Sequence, residues 1–498
     1  MISTFNKAVI ISCAQVDIAR PPAGPAVLAG ICEKNNLDYE FFDLNTFIHD
    51  LVGDLKWSQL YQSTSTYPNN DLTVLADMSI ILDQFCLEIK KHFPDLILIS
   101  VLSYWQNSWC EQLLIALKRH NISAVTVAGG NGISVPYDQN QSFGKFLCQS
   151  KKLLDYYVLG EGDIVIDKFL IGDRILGLNS TNAAHDSWAL QIDDLDQLPF
   201  PSYKKINNNR YVTHAHSGEL SIIGSRGCVR KCSFCDVAAI WKKFRFRSAK
   251  NIAEEIEHHY NTTGQTKFFF TDSLVNGSLK TFKQMLEEII KLQEQYPMLK
   301  NIRYSGQFII RPKEQHPEYM FELMKKSGFG FLSIGVESGS DQVRYHMGKK
   351  FTTADVDYHM EMCNKYEIGN VLLLMIGYPT ETKEDFLKTV DMVKRYQKYR
   401  INNTLIDISE SQPLILLKNT PLYDQANALG IDLSNDYSHQ LWTAKTNPDL
   451  TVKERFRRYI EFQRLLVILK FPRSSSIINQ INEYLNNIEK LIANTNTR

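Results

Sequence analysis

Two series of short apolar segments, each alternating with helix-like segments, constrain the fold of this chain most strongly. The first series lies within about residues 5–165, and the second runs from Leu220 to Leu429. Strands that are buried on both faces appear as continuous apolar runs, and the helices between them are the crossover connections of a parallel sheet. The sequence therefore predicts two successive α/β domains, each built on a parallel sheet.

The first series predicts a doubly wound, Rossmann-like domain, whose ligands bind beyond the carboxyl ends of the strands. Glycines cluster at two of these ends, in Gly129–Gly132 and in Gly160–Gly162, where they permit close approach of a ligand to the backbone or simply form tight turns. The predicted strands are Lys7–Cys13, Tyr39–Leu44, Leu96–Leu102, Ala124–Ala128 and Tyr156–Leu159, and the predicted helices are Pro25–Lys34 and Trp109–His120.

The second series contains six strand–helix units, fewer than the eight of a complete barrel, and so predicts a partial (β/α)6 barrel. Reactive groups are then expected at the carboxyl ends of its strands. The predicted strands are Leu220–Ile223, Lys267–Thr271, Ile302–Ile309, Phe331–Val336, Val371–Ile376 and Thr404–Ile408. The helices that follow them are Ala249–Tyr260, Lys280–Gln293, Pro317–Lys326, Thr353–Lys365, Lys383–Tyr396 and Thr420–Leu429.

Four regions follow from these patterns. Residues 1–170 are predicted to form the doubly wound domain and residues 171–217 a linker, because Asp193–Tyr203 is acidic and carries two prolines. Residues 218–430 are predicted to form the barrel, and residues 431–498 a C-terminal helical region. In that last region a set of arginines is expected to face solvent. The set comprises Arg455, Arg457, Arg458 and Arg464.

The charge balance and the apolar segments of the chain give no indication of nucleic-acid binding, secretion or membrane insertion. Lys plus Arg and Asp plus Glu both number 55, so no overall electrostatic attraction to nucleic acid or to a membrane is expected. The apolar run Ala8–Cys13 is too short for the core of a signal peptide, and no segment has the length of a membrane-spanning helix. The expected location is the cytoplasm.

One short loop carries the chemistry. Cys228, Cys232 and Cys235 follow the spacing C-x3-C-x2-C directly after the first strand of the second series. Three thiolates can hold three irons of a cubane cluster and leave the fourth iron open to a substrate or cofactor. The other six cysteines of the nine in the chain are scattered in apolar segments and are expected to be small core residues. They are Cys13, Cys32, Cys86, Cys110, Cys148 and Cys363.

A zinc site is the alternative to an iron–sulfur cluster at this loop. A structural zinc needs four ligands, and His214 or His216 could complete a Cys3His set. The chain would then be a zinc-stabilised binding module rather than an enzyme. A disulfide is a weaker interpretation, because the cysteine count is odd and the expected compartment is reducing.

The cysteine loop resembles the signature of the radical S-adenosylmethionine (SAM) superfamily, including the aromatic residue, Phe234, that precedes the last cysteine. The resemblance implies that Cys228, Cys232 and Cys235 hold a [4Fe–4S] cluster. SAM would chelate the fourth iron, and reduction would cleave it to a 5′-deoxyadenosyl radical that abstracts hydrogen from a substrate. The protein would position these groups and exclude water.

Three further segments are similar to superfamily motifs, namely Phe269–Asp272, Ser333–Gly339 and Leu374–Pro379. For Asp272 and Glu337, a structural ion pair or a helix cap remains an alternative role. The residues that the resemblance places on SAM are Phe234, Asp272, Gln307, Glu337 and Gly377.

The first domain resembles that of class B, the radical SAM enzymes with a cobalamin-binding domain. The similarity covers Pro21–Gly30, Phe41–Asn45, Leu98–Ser100, Ala128–Gly130 and Val158–Asp163. No D-x-H-x-x-G motif is present, so a bound cobalamin would lack a histidine ligand; alternatively, the domain is degenerate and binds nothing. The residues that the resemblance places on cobalamin are Gly24, Ser100, Ser103, Gly129, Gly130, Gly160 and Glu161.

The resemblance implies a cobalamin-dependent radical SAM methyltransferase, in which methylcobalamin delivers the methyl group to a substrate radical. A cobalamin-dependent rearrangement or oxidation without methylation is the second possibility. Methylthiolation is disfavoured, because the first domain lacks the three additional cluster cysteines of that family. The implied partners are an electron donor such as flavodoxin or ferredoxin and an unidentified substrate, for which a small molecule or a peptide is favoured over nucleic acid.

Overall fold

The computed structural model of this chain describes residues 4–14, 18–64, 68–137, 141–181, 185–211, 218–409, 413–433 and 441–472. These residues divide into two compact units. The first unit comprises residues 1–223 and 254–269, and the second comprises residues 224–253 and 270–498, each within the described ranges. None of the described helices is long and apolar enough to cross a membrane.

The first unit contains a six-stranded sheet in the order β2-β1-β3-β4-β5-β6. The first five strands in that order run parallel, and β6 pairs antiparallel with β5. The strands are β1 (Lys7–Ser12), β2 (Asp38–Asp43), β3 (Leu96–Ser100), β4 (Val125–Gly129), β5 (Tyr156–Val158) and β6 (Leu178–Ser180). The helices are α1 (Ala23–Lys34), α2 (Leu44–Ser63), α3 (Leu72–Lys90), α4 (Asn107–Arg119), α5 (Asn131–Ser134), α6 (Phe143–Lys145) and α7 (Gly162–Leu170).

Helices cover both faces of this sheet, and the alternation of side chains along β1 shows why. Val9 and Ile11 are buried against residues of α2, α3 and α4, whereas Ala8 and Ile10 are buried against residues of α1 and α7. Successive side chains of a strand point to opposite faces, so a strand that is apolar throughout must be covered twice. The doubly wound fold predicted for this domain is confirmed.

In the second unit, four strands pair in parallel in the order in which they occur in the chain. They are β11 (Arg303–Phe308), β12 (Phe329–Glu337), β13 (Gly369–Leu374) and β14 (Leu405–Ser409). Two short antiparallel pairs are β8 (Ser225–Arg226) with β9 (Arg245–Phe246), and β15 (Ile431–Asp432) with β16 (Thr443–Ala444). The helices are α8 (Val237–Ile240), α10 (Leu279–Gln295), α11 (Glu318–Ser327), α12 (Asp341–His346), α13 (Thr353–Lys365), α14 (Lys383–Ile401), α15 (Pro421–Asp424) and α16 (Val452–Ile468).

The six strands predicted for the barrel are all present. Two of them, β7 (Leu220–Ile222) and β10 (Lys267–Phe270), lie wholly or mostly in the first unit, as does most of α9 (Ala249–Thr263). The region predicted to be a linker contains β6, which at three residues is too short to give a periodic pattern. No helix was predicted between Leu44 and Leu96, where the structure has α2 and α3.

The expectation that the arginines of α16 face solvent is wrong for two of them. Arg455 and Arg458 are 0% and 2% exposed. Arg455 lies over the Trp442 ring at 3.8 Å and donates to the Trp442 carbonyl, and Arg458 donates to Glu381 Oε1 at 3.0 Å. Their charges are therefore compensated by acceptors that are distant in the sequence, which a count of charges along one helix does not reveal.

Candidate functional site

The cysteine loop begins and ends at the short β8–β9 pair. Ser225 and Arg226 of β8 pair with Phe246 and Arg245 of β9, so the eighteen-residue stretch between them is closed at its base. Gly227 has a φ of 88°, and a Cβ there would approach the Lys243 carbonyl oxygen to 2.6 Å. A glycine is therefore required where the chain turns toward the first cysteine.

The three thiols of this loop lie close enough to influence one another electrostatically. Burial raises the pKa of all three, and the charge of a neighbouring thiolate raises each of them further. The positive charge of Lys349 acts on all three in the opposite direction, and the Arg230 amide donates to Cys228 Sγ at 3.3 Å. Three thiols on one partly buried loop, with the Lys349 cation nearby, fit the ligand set of an iron–sulfur cluster.

The zinc alternative needs a fourth ligand beside the three thiols. In the described part of the chain, no group of three or more His, Cys, Asp or Glu side chains, the three cysteines included, is arranged to hold a metal ion. The candidate fourth ligands, His214 and His216, lie outside the described residues.

A buried ion pair lies beside the cysteine loop. Lys349 Nζ donates to Glu337 Oε1 and to the Gly335 carbonyl, both at 2.9 Å, and lies 5.7 Å from the centre of the Phe234 ring. Burial by itself would lower the pKa of Lys349, but the charges of Glu337 and Cys232 outweigh it and raise that pKa. The site therefore contains a buried cation, which the sequence did not predict because no spacing pattern marks it.

Glu337 is held in an unusual backbone conformation. Its φ is 68°, and the pairing of β12 with β13 shifts register between Gly335 and Glu337. A bulge at a strand end changes the direction of a side chain, and a positive φ in a residue other than glycine is common at functional sites. A Cβ at Gly335 would overlap Glu337 Oε1, so this glycine provides the space for the carboxylate.

Asp272, which follows β10, is bonded to the start of the cysteine loop. Its Oδ1 accepts from the Gly224 amide at 2.8 Å, and its Oδ2 accepts from Ser225 Oγ at 2.7 Å. Both carboxylate oxygens therefore hold the segment that leads into β8. Of the two roles predicted for Asp272, this geometry provides the structural one directly.

We expect Asp272 to make stability depend on pH. Burial raises its pKa to about 7 from an ordinary value of 3.8, although the bonds from Ser225 and Gly224 lower it. The folded state then binds the proton more tightly than the unfolded state between these pH values. The stability contributed by this group is complete below pH 3.8 and is lost as the pH rises through 7, by at most about 1.4 kcal/mol per pH unit.

The measurement is a series of urea titrations from pH 4 to pH 8 on the wild type and on Asp272→Asn, which cannot ionise. The stability of the wild type relative to the variant should fall across this range. A difference that stays constant with pH would contradict the prediction.

The remaining residues predicted to bind SAM lie at the ends of neighbouring strands. Gln307 is exposed on β11 opposite Ser333 of β12, and the Glu337 carbonyl accepts from the Met375 amide at 2.8 Å, which places the segment after β13 beside Glu337. Gly377, in that segment, has a φ of 81°, and its amide donates to Glu381 Oε1 at 3.2 Å. The structure thus brings the ends of β11, β12 and β13 together.

In the first unit, most of the residues predicted to bind cobalamin lie at one edge of the sheet. Ser100 pairs in register with Ser12 and with Gly129, at the carboxyl ends of β1, β3 and β4. A Cβ at Gly24 would lie 2.9 Å from Ser100 Oγ, so the start of α1 is in contact with this edge. The order β2-β1-β3 makes the gap between β1 and β3 the topological switch point, where ligands of such sheets bind.

Gly130 and Ser103 shape the loops at the same edge. Gly130 has a φ of 104°, and a Cβ there would overlap the Val101 carbonyl oxygen. Ser103 Oγ accepts from the Trp105 amide at 3.2 Å and caps the short turn Tyr104–Gln106. The loop after β3 is therefore fixed, while Tyr104 and Trp105 themselves are 46% and 45% exposed.

Gly160 and Glu161 lie two strands away from the switch point, after β5. Gly160 has a φ of 86° and packs against Ala189, and Glu161 Oε2 accepts from the Ile192 amide at 2.6 Å. The contacts of the Glu161 carboxylate hold the chain that follows β6, which is a role in the fold.

Comparison with known proteins gives a family match for most of the second series of strands. Residues 222–393 match the radical SAM superfamily model. The chain is 27% identical over 232 residues to the anaerobic magnesium-protoporphyrin IX monomethyl ester cyclase of Cereibacter sphaeroides, covering 46% of this chain and 35% of that protein. The alignment thus spans only about a third of the length of this relative.

Two solved structures share the fold over most of the chain. The radical SAM methyltransferase TsrM of Kitasatospora setae, solved with cobalamin and a [4Fe–4S] cluster, superposes with a TM-score of 0.60 at 18% identity, covering 87% of this chain and 78% of that one. The cobalamin-dependent radical enzyme OxsB, solved with aqua-cobalamin and SAM, superposes with a TM-score of 0.66 at 14% identity, covering 98% and 71%. At these identities the likeness establishes the fold, a doubly wound domain followed by a partial barrel. Residues 222–393, which contain the cysteine loop and the strands that carry the predicted SAM site, are therefore identified as a radical SAM domain.

Proposed function

We propose that this protein is a cobalamin-dependent radical SAM enzyme that methylates a carbon atom of an organic substrate. The observation that carries the proposal is the cysteine loop with the buried Lys349–Glu337 pair beside it. The fold likeness to two enzymes that were solved with cobalamin, over 87% and 98% of this chain, supports the cobalamin-dependent class.

Cys228, Cys232 and Cys235 are the residues that would hold the [4Fe–4S] cluster. When bound, the cluster supplies the electron that cleaves SAM to a radical able to take hydrogen from an unactivated carbon. The protein contributes the three thiolates, and Lys349 offsets part of their negative charge. An acidic electron carrier of the flavodoxin or ferredoxin class is the proposed reductant.

We propose that the edge formed by β11, β12 and β13 binds SAM. The Glu337 carboxylate suits the ammonium group of the methionine moiety, and Lys349 suits its carboxylate, because each would exchange one buried ionic partner for another. Phe234 provides an apolar wall, and Gln307 a polar group that faces solvent. The positive φ of Gly377 lets the backbone after β13 turn close to the ligand.

We propose that cobalamin binds at the switch point of the first sheet. Gly24, Ser100 and Gly129 line the carboxyl ends of the strands there, and the fixed loop Val101–Ser103 lies against Gly130. The hydroxyl of Ser100 and the exposed edge provide hydrogen bonds and space for a large ligand. None of these residues is a histidine, so none of them would supply an imidazole ligand to the cobalt.

Two measurements test the proposed reaction. The anaerobically reconstituted protein, reduced by dithionite, should convert SAM to 5′-deoxyadenosine. With hydroxocobalamin present, SAM labelled with ¹⁴C in its methyl group should transfer the label to the protein-bound corrin. Formation of 5′-deoxyadenosine without any labelled corrin would overturn methylation and favour a cobalamin-dependent rearrangement or oxidation.

The cobalamin site can be tested by adding bulk at Gly24. This residue is exposed at the start of α1, and only the Ser100 hydroxyl limits the space around it. Gly24→Phe should abolish retention of the corrin spectrum after desalting, because the ring would project over the strand ends. Gly24→Ala, which adds only a methyl group, is the matched control and should retain corrin. Equal retention by both variants would contradict a site at this edge.

A further inference from the structure

Ser233 lies between two proposed cluster ligands, Cys232 and Cys235, and three other segments of the second unit are bonded to it. Its amide donates to the Met347 carbonyl at 3.0 Å, and its carbonyl accepts from the Leu422 amide at 2.7 Å. Its hydroxyl is 2.9 Å from the hydroxyl of Tyr378. The amide of Ser233 is therefore bonded to the chain after α12, its carbonyl to α15 and its hydroxyl to the segment after β13.

The hydrogen bond between the hydroxyls of Ser233 and Tyr378 has a defined direction. The Tyr378 hydroxyl donates its one proton to the His346 carbonyl at 3.1 Å. Its oxygen is therefore left to accept, and the Ser233 hydroxyl is the donor in the bond between the two. The result is a chain of two hydrogen bonds that links the cysteine loop to Tyr378 and Tyr378 to the end of α12.

An apolar cluster keeps these partners in place. Tyr378, Met347 and Leu422 are buried in one cluster, and the Phe234 ring packs against it from the cysteine loop. Tyr378 is 3% exposed, so its ring has little freedom to move its hydroxyl away from Ser233. By contrast, the segment from Gly227 to Asp236 contains no helix or strand that could fix the thiols by itself.

We propose that Ser233 and Tyr378 form a latch that fixes the shape of the cysteine loop and so sets how tightly the cluster is held. This inference rests on the proposed function, because it assumes that Cys228, Cys232 and Cys235 ligate iron. Ligands of a metal centre need supporting contacts that hold them within a fraction of an ångström, and the loss of such a contact commonly weakens metal binding 10- to 100-fold. Ser233 and Tyr378 act through the cysteines and are positioning residues.

The test measures iron release from the reconstituted protein, without SAM or substrate. The holoprotein is treated anaerobically with an excess of an Fe²⁺ chelator, and the rate of formation of the coloured complex is recorded. Tyr378→Phe and Ser233→Ala should each release iron about 10-fold faster than the wild type, whereas Ser233→Thr, which keeps the hydroxyl, should stay within about threefold of it. Tyr345→Phe, the same change at a residue that is 75% exposed and next to His346, is the matched control and should release iron at the wild-type rate.

The double variant Ser233→Ala/Tyr378→Phe separates the latch from a general loss of stability. If the bond between the two hydroxyls is responsible, the double variant should release iron no faster than Tyr378→Phe alone, because that change already removes the bond to Ser233 and Ser233→Ala then removes no further bond. The electron paramagnetic resonance spectrum of the reduced cluster should shift or broaden in all variants that lack the bond. Multiplied rates in the double variant, or single variants with wild-type rates and spectra, would overturn the latch.

The outcomes for the latch and for the proposed function can be told apart. A wild-type protein that takes up no cluster would overturn both. A wild-type protein that holds a cluster, with latch variants that release iron at the wild-type rate, would overturn the latch alone.

Discussion

Simultaneous replacement of Cys228, Cys232 and Cys235 by alanine is expected to remove all of the cluster iron. The wild type, reconstituted anaerobically with iron and sulfide, should contain about four irons per chain and be brown. The triple variant should contain almost none and be colourless, because no other ligand on the loop can take the place of three thiolates. Iron content and the visible absorption spectrum measure the effect directly.

The six other cysteines provide a control for this experiment. Cys363 is fully buried in α13, where its Sγ lies 3.3 Å from His359 Nε2, and it is not on the cysteine loop. Cys363→Ala should lower thermal stability, since it leaves a small cavity, but should keep the iron and the colour. Brown protein from the triple variant, or a zinc content of one per chain in the wild type, would contradict the iron–sulfur assignment.

Replacement of Lys349 by methionine is expected to destabilise the protein and to weaken SAM binding. The Lys349 and Glu337 side chains are 10% and 12% exposed, so the variant would leave a buried carboxylate without a cation. Loss of one partner of such a pair costs about 3–5 kcal/mol of unfolding free energy. Without Lys349, the site also loses the cation proposed to bind the SAM carboxylate, and the loss of a bond to a charged group should lower the affinity at least about 10-fold.

A second substitution separates these two effects. In Lys349→Met/Glu337→Gln the unpaired carboxylate is gone, so most of the lost stability should return, whereas SAM binding should remain weak. Urea unfolding of the metal-free protein measures the stability, and equilibrium dialysis of the reconstituted protein measures the binding of SAM. Lys350→Met, at the exposed neighbouring lysine, is the control and should change neither quantity. Wild-type affinity for SAM in the double variant would show that the ion pair has no part in the site.

Local patterns in the sequence were sufficient to predict much of the fold. Strands such as Lys7–Ser12 and Leu96–Ser100 contain the unbroken apolar runs 8–11 and 96–99 and therefore have to be buried on both faces. Their alternation with helices then leaves few topologies, because parallel strands need long crossover connections. Elements without such a pattern were missed, namely β6 with its three residues and the helices α2 and α3.

Some residues of the candidate site could be predicted from the sequence, and others could not. Cys228, Cys232 and Cys235 could be singled out because one short loop supplies all three thiols, and their spacing is a property of the sequence itself. Lys349 could not, because it reaches Glu337 only after α12 turns back toward the end of β12. The same holds for Ser233 and Tyr378, which are 145 positions apart and meet through the packing of one apolar cluster.

The buried arginines of α16 show why such contacts escape a reading of the sequence. The charge pattern of the helix by itself predicts that Arg455 and Arg458 face solvent. Their burial depends on acceptors supplied by Trp442 and Glu381, which belong to other segments. A charge is buried only where partners converge on it, and that convergence is set by the three-dimensional arrangement.

The sequence by itself determined the chemistry that this protein can support and the class of fold that carries it. Ligand spacing within one loop and the burial pattern of single strands are local properties. They can be predicted from a short segment without reference to the rest of the chain. The tertiary structure alone decided which distant side chains surround that loop. The Asp272 carboxylate at the start of the loop and the Tyr378 hydroxyl at its centre come from the segments after β10 and β13, and the cation Lys349 comes from the chain after α12. Asp272 and Tyr378 reach the same loop because parallel strands bring their carboxyl ends to one edge, and Lys349 reaches it because α12 turns back toward the end of β12.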